Sequence, residues 1–188
     1  LFPDLGGGKK LLVLPVVGMT GAGLWMLPGA LRLRQGRYRR TALYDGAVSG
    51  VVTMKDGVEA CRQSGLRGWE LVTFAQQLTA KKFATYATLN LWDPPGRAFI
   101  YGTGYCTQYN LALGQLLRRL GFEVTAVFAL KARFFDNPDW SMGHTWLRVT
   151  VDGETRDVCA GRADNEAGKV HFVPLSAVHK GRPLTMFL

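Results

Sequence analysis

A thiol, an imidazole and a carboxylate follow one another along the second half of this chain. Cys106 sits in Gly102-Thr-Gly-Tyr-Cys-Thr-Gln-Tyr-Asn110. His144 comes 38 positions later in Gly143-His-Thr-Trp-Leu-Arg-Val-Thr-Val151, and Asp157 another 13 on in Thr155-Arg-Asp-Val158. A sulfur nucleophile attacks an acyl carbonyl when a neighbouring base takes its proton and a third group holds that base in place. The order Cys, His, Asp supplies those three roles.

The elements that must position them can be read next. From Cys106 the apolar residues run Tyr109, Leu113, Leu116, Leu117, Leu120, which is helical spacing. Arg118 and Arg119 fall in the last turn, and Gly121 is the expected C′ residue. Cys106 therefore begins a helix, where unpaired N–H groups and the positive dipole end are expected to lower a thiol pKa. Gly102 and Gly104 permit a sharp turn into it. Phe122 to Leu130 has a strand pattern. His144 to Val151 alternates, with Thr145, Leu147, Val149 and Val151 on one side and His144, Trp146, Arg148 and Thr150 on the other. Asp152-Gly153 is a two-residue hairpin turn. A tight turn pairs each position x with 305 minus x. That sets Asp157 opposite Arg148 and Cys159 opposite Trp146, so a bulge or twist must carry Asp157 to His144.

Leu66 to Val173 resembles the transglutaminase-like superfamily of papain-related cysteine enzymes. The resemblance is carried by Gly104-Tyr-Cys106 with its helix, Leu117-Arg-Arg-Leu-Gly-Phe122, Gly143-His-Thr-Trp146 and Arg156-Asp-Val158. It implies an α+β papain/transglutaminase-like core, with the nucleophile helix packed on an antiparallel sheet. It also implies Cys106 as nucleophile, His144 as base and Asp157 as orienting acid. Asp157-Val-Cys-Ala-Gly161 and Gly104-Tyr-Cys-Thr-Gln-Tyr-Asn110 partly match a second family with the same core, the arylamine N-acetyltransferases, although Gln108 stands where that family keeps Glu.

Other residues carry structural readings. Cys61 and Cys159 are expected as packing residues. His171 and His179 fall outside every motif. Trp146 is a core or cleft-wall aromatic. Asp157 has a second reading, as an ion-pair partner of Arg148 or Arg156. Three cysteines with no Cys-x-x-Cys pair argue against both a disulfide framework and a zinc site. No phosphate-binding loop or dinucleotide fingerprint is present, and neither a metal nor a cofactor is expected.

Leu11 to Leu31 holds 21 residues without a charge, enough to cross about 30 Å of hydrocarbon as a helix. Lys9 and Lys10 precede it. Arg32, Arg34, Arg37, Arg39 and Arg40 follow, and the larger basic flank is expected on the cytoplasmic side. The net charge is +9. Residues 1–40 carry seven Lys/Arg and one acid, hence +6; residues 41–188 carry sixteen and thirteen, hence +3. The basicity therefore sits where anionic headgroups would be, and the remainder has no basic stripe for nucleic acid.

The expected organisation is a membrane anchor with a basic juxtamembrane stretch, residues 1–40, and a transglutaminase-like domain, residues 41–188. Before Cys106 that domain should hold helices over Lys55 to Ser64 and Gly68 to Phe83, then a turn at Asp93-Pro-Pro-Gly96. The expected activity is cleavage or transfer of an acyl group from a peptide or protein substrate, on a single-pass membrane protein with its domain on the cytoplasmic side. The alternatives are a binding module without catalysis and an accessory subunit of a membrane complex.

Overall fold

Thr53 starts the first helix among the described residues. Its hydroxyl accepts from the Asp56 N–H at 3.3 Å, and its own N–H donates to Asp56 Oδ2 at 2.7 Å, a reciprocal cap that satisfies two end donors. The helix is α1, Met54–Gln63. In the computed structural model the described residues are 48–83, 85–86 and 93–181. The chain divides into two units, residues 1–39 with Leu188 and residues 40–187, and every described residue belongs to the second.

After α1 come α2 (Gly68–Lys82), β1 (Thr85–Tyr86), α3 (Pro95–Tyr101), β2 (Thr103–Gly104) and α4 (Cys106–Arg119). Five strands follow: β3 (Glu123–Phe134), β4 (Asn137–Val151), β5 (Glu154–Val158), β6 (Phe172–Pro174) and β7 (Val178–Lys180). The sheet order is β5-β4-β3-β6, with β7 also pairing β3, and every pairing in it is antiparallel. The mixed helix and antiparallel-sheet class expected from the sequence is what the domain has.

Residues 106–114 of α4 are all buried, because the helix is covered on both sides. The other three helices among the described residues pack against it. The Thr145/Leu147/Val149 side of β4 meets it as well: Asn110 Nδ2 donates to Thr145 O at 2.7 Å, and the Leu147 methyl groups lie over Gly114. Arg118 closes its far end by donating to Val124 O at 2.8 Å.

The hairpin is tight, with both Asp152 (φ 51) and Gly153 (φ 82) in the left-handed region. The register is the expected one: Val151 opposite Glu154 and Arg148 opposite Asp157. Two features depart from expectation. The Pro-Pro-Gly stretch opens α3 instead of forming a turn, since Pro95 at the first helical position gives up an N–H that has no partner there anyway. In addition, β3 slips by one residue against β4 between Ala129 and Ala132, just beyond the Ala129–His144 pair. Residues 11–31, expected to span a membrane, lie outside the described residues. Among the described residues no helix is long and apolar enough to cross one.

Candidate active site

Gly102 ends α3 at φ 66, and a Cβ there would meet the Lys82 carbonyl oxygen at 2.5 Å. Only glycine gives the chain this turn. Beyond it β2 pairs with β1 in parallel. Gln108 then reaches back over the start of α4: its Oε1 accepts from Tyr105 N at 3.2 Å, and its Nε2 donates to Asp93 O at 3.3 Å. Cys106 is thus held at the first position of α4.

Cys106 is 4% exposed. Burial pushes its pKa up; hydrogen bonds from the Thr145 backbone and from the Thr107 hydroxyl and backbone pull it down and do not prevail. The lowered pKa expected from the helix start is therefore not found, because desolvation outweighs the helix end. The Thr145 contact sets the sulfur against the peptide that follows His144.

His144 is 2% exposed. Its ring lies 4.5 Å from that of Phe172 and 5.1 Å from that of Phe134, centre to centre, and runs nearly parallel to Trp146. Burial first, and the neighbouring His171 second, lower its pKa from 6.5 to about 3. Burial thus favours the neutral form of both the thiol and the imidazole.

Both residues line one cavity of about 470 Å³, together with Tyr86, Tyr109, Trp140, Gly161 and His171. Asp157 does not line it. Its Oδ1 accepts from Arg148 Nε at 3.2 Å on the half-exposed part of the β4–β5 ladder. Of the two readings open for Asp157, the ion pair is the contact present.

Three residues at or behind the cavity were not expected there from the sequence. Cys159, expected as packing, places its Sγ 3.4 Å from His144 Nε2. His171, expected to be ordinary, faces the cavity with Nδ1 3.0 Å from Asn165 Nδ2. Gly161 is tightly enclosed: a Cβ there would lie 2.7 Å from His171 Cε1 and 3.1 Å from the Tyr109 hydroxyl. Extending the hairpin register two pairs beyond Asp157 points to Cys159; no local pattern points to His171. Cys61 is buried on α1, away from the cavity, with its pKa pushed up to about 12. Among the described residues no cluster of three or more His, Cys, Asp or Glu is set to hold a metal ion.

A family model described as N-acetyltransferase matches residues 102–165, a span that holds Cys106, His144, Asp157 and Cys159. Among solved structures, the crystal structure of a TGase is similar to 70% of this chain at 11% identity, with a TM-score of 0.47. This chain covers 37% of that structure's length. The N-acetyltransferase match is consistent with a papain-like cysteine-enzyme fold. No curated protein matches the chain.

Proposed function

We propose that this protein is a cysteine acyl-transfer enzyme in which Cys106 is the nucleophile and His144 the base. One observation carries the reading: the buried Cys106 sulfur, hydrogen-bonded to the Thr145 backbone, opens into the same cavity as His144. As the Cys106 sulfur bonds to the acyl carbon, its proton passes to His144. The imidazolium then protonates the departing amine, alcohol or thiol, leaving a thioester on Cys106. Water or an amine attacks that thioester, with His144 taking the proton of the attacking group and returning it to the Cys106 sulfur. The backbone N–H of Cys106 is proposed as one oxyanion donor. Asp157, the acid of the expected triad, enters as a positioning residue that holds β5 to β4 through Arg148.

The acyl donor is proposed as a peptide or protein group, and the N-acetyltransferase match favours transfer over hydrolysis. Exposure to a p-nitrophenyl ester tests the reading. Nitrophenol release with one acyl group on Cys106 supports it. Absence of both, with the protein folded, favours the second reading: a binding module, or an accessory subunit of a membrane complex. The observation behind that alternative is the neutral, deeply buried thiol and imidazole.

The membrane part of the proposal is separate. Residues 11–31 are proposed to span the bilayer, with residues 32–40 at the cytoplasmic headgroups and the domain on that side. Deletion of residues 1–40 should move the protein from the membrane fraction to the soluble fraction with its domain still folded. Retention in the membrane fraction, or unfolding, overturns this part.

A further inference from the structure

The mechanism above leaves one buried reactive group unused. Cys159 is wholly buried at the point where β5 has ended and the chain turns away from β4. Three nitrogens converge on its sulfur: His144 Nε2 at 3.4 Å, Gly161 N at 3.4 Å and Asn110 Nδ2 at 3.5 Å. The backbone around it is equally tied down. Cys159 N donates to Gln76 Oε1 at 3.0 Å, and Cys159 O accepts from Asn165 Nδ2 at 2.8 Å. Asn110 lies on the nucleophile helix and links the sulfur to β4 as well, because the same amide nitrogen donates to Thr145 O. The contact is therefore built from four segments of the chain and does not follow from one side chain filling a gap.

We infer that Cys159 is the positioning residue of His144, with its sulfur accepting the Nε2–H of the ring where an orienting acid was expected. The inference rests on the acyl-transfer reading of Cys106 and His144. Its chemistry follows from the two ring nitrogens. Nε2 is turned to Cys159, so Nδ1 is the nitrogen left to receive the Cys106 proton. A neutral imidazole can do so only when its own proton is on Nε2. The Gly161 N–H and the Asn110 amide can only donate, so the sulfur accepts from both. Towards His144 either partner can donate, the thiol through its weak S–H or the ring through Nε2–H, and the ring is proposed as the donor.

A sulfur acceptor has a further consequence. Burial pushes the Cys159 thiol up to about 12, so it stays neutral. A neutral sulfur accepting from Nε2 gives an imidazolium less support than a carboxylate would. Cys159 therefore orients His144 without stabilising its charged form, in keeping with the low pKa of that ring.

Nitrogen-15 NMR of the ring of His144 in the full chain, assigned with His144→Gln, reads the tautomer without any substrate. The Nε2–H form at neutral pH is expected; the Nδ1–H form overturns the inference. A second measurement follows alkylation of Cys106 by iodoacetamide at pH 7, resolved by peptide mass spectrometry. Cys159→Ser keeps an acceptor and should react within about twofold of the parent, while Cys159→Ala should react about fivefold more slowly, the loss of one hydrogen bond. Equal rates in all three overturn the inference. If the tautomer and this order hold while p-nitrophenyl esters never acylate Cys106, the positioning role stands and the acyl-transfer reading fails.

Discussion

Two polar contacts lie along the same part of the sheet. Arg148 and Asp157 meet at 3.2 Å with side chains 45% and 35% exposed. His144 and Cys159 meet at 3.4 Å with the two residues 2% and 0% exposed. The distances are alike and the environments are not. In water a charged pair is screened and contributes about 0–1 kcal/mol. In the interior a lost partner leaves a buried group unsatisfied, at a cost of about 1–3 kcal/mol. The formally stronger pair should therefore matter less, and the weaker donor–acceptor pair should decide how the imidazole is held.

The largest effect expected is on turnover. Cys106→Ala should abolish acyl transfer, and His144→Ala should lower it by a factor of about 10²–10⁴, the usual worth of a general base. Cys61→Ala should leave turnover in place, because Cys61 lies outside the cavity. Ester turnover by the purified variants decides this; activity surviving in Cys106→Ala would remove the nucleophile from the account.

The buried contact should also show itself in acid. The unfolded chain protonates His144 near pH 6.5 and the folded protein near 3, so between those values the unfolded state binds more protons. The stability from this group is complete above about pH 6.5. It falls as the pH drops through that window, by at most ~1.4 kcal/mol per unit. Urea midpoints from pH 4 to 7 should fall with acidity, and less steeply in His144→Gln. Part of the slope should remain in the variant, because His171 is also lowered by burial. Identical slopes would place His144 in a wetter setting.

Gly161→Ala probes the packing around the buried contact. Its Cβ would press on His171, Tyr109 and the Cys159 sulfur, and a destabilisation of about 1–3 kcal/mol is expected from overpacking. Denaturant titration measures it. An unchanged midpoint would mean that the turn after Cys159 yields easily.

The exposed contact should give the smallest change. Asp157→Asn should alter stability by less than ~1 kcal/mol, with the difference shrinking at high salt. Turnover should stay within about threefold of the parent, since a positioning contact in solvent holds β5 only weakly. A loss as large as that of His144→Ala would make Asp157 the orienting acid and displace Cys159 from that role.

Much of this architecture was legible because it is local. The apolar run from Tyr109 to Leu120 and the glycine behind it delimit α4, and Asp152-Gly153 sets the register that carries Asp157 to Arg148. The ends of α1 and α2 fall within a residue or two of expectation for the same reason. What was not legible depends on distant segments. Pro94-Pro95-Gly96 has turn composition, and only the packing of α3 against α4 makes it a helix start. The pKa of Cys106 depends on how deeply α4 is buried, which no window of sequence reports, so the helix-end argument had the wrong sign. His171 reaches the cavity because Asn165 and the chain beyond Gly161 fold back over β3 and β4. Cys159 lay within reach of the register rule, but its partner His144 is two pairs away from the position that rule puts opposite it.

Acylation of the intact protein tests the central claim most directly. The full chain is mixed with p-nitrophenyl acetate, quenched in acid and mapped by peptide mass spectrometry. One acetyl group on Cys106, absent in His144→Ala, with Cys61 and Cys159 unmodified, is the predicted result. An acetyl group spread over the three cysteines, or Cys106 acetylated equally without His144, would contradict the account.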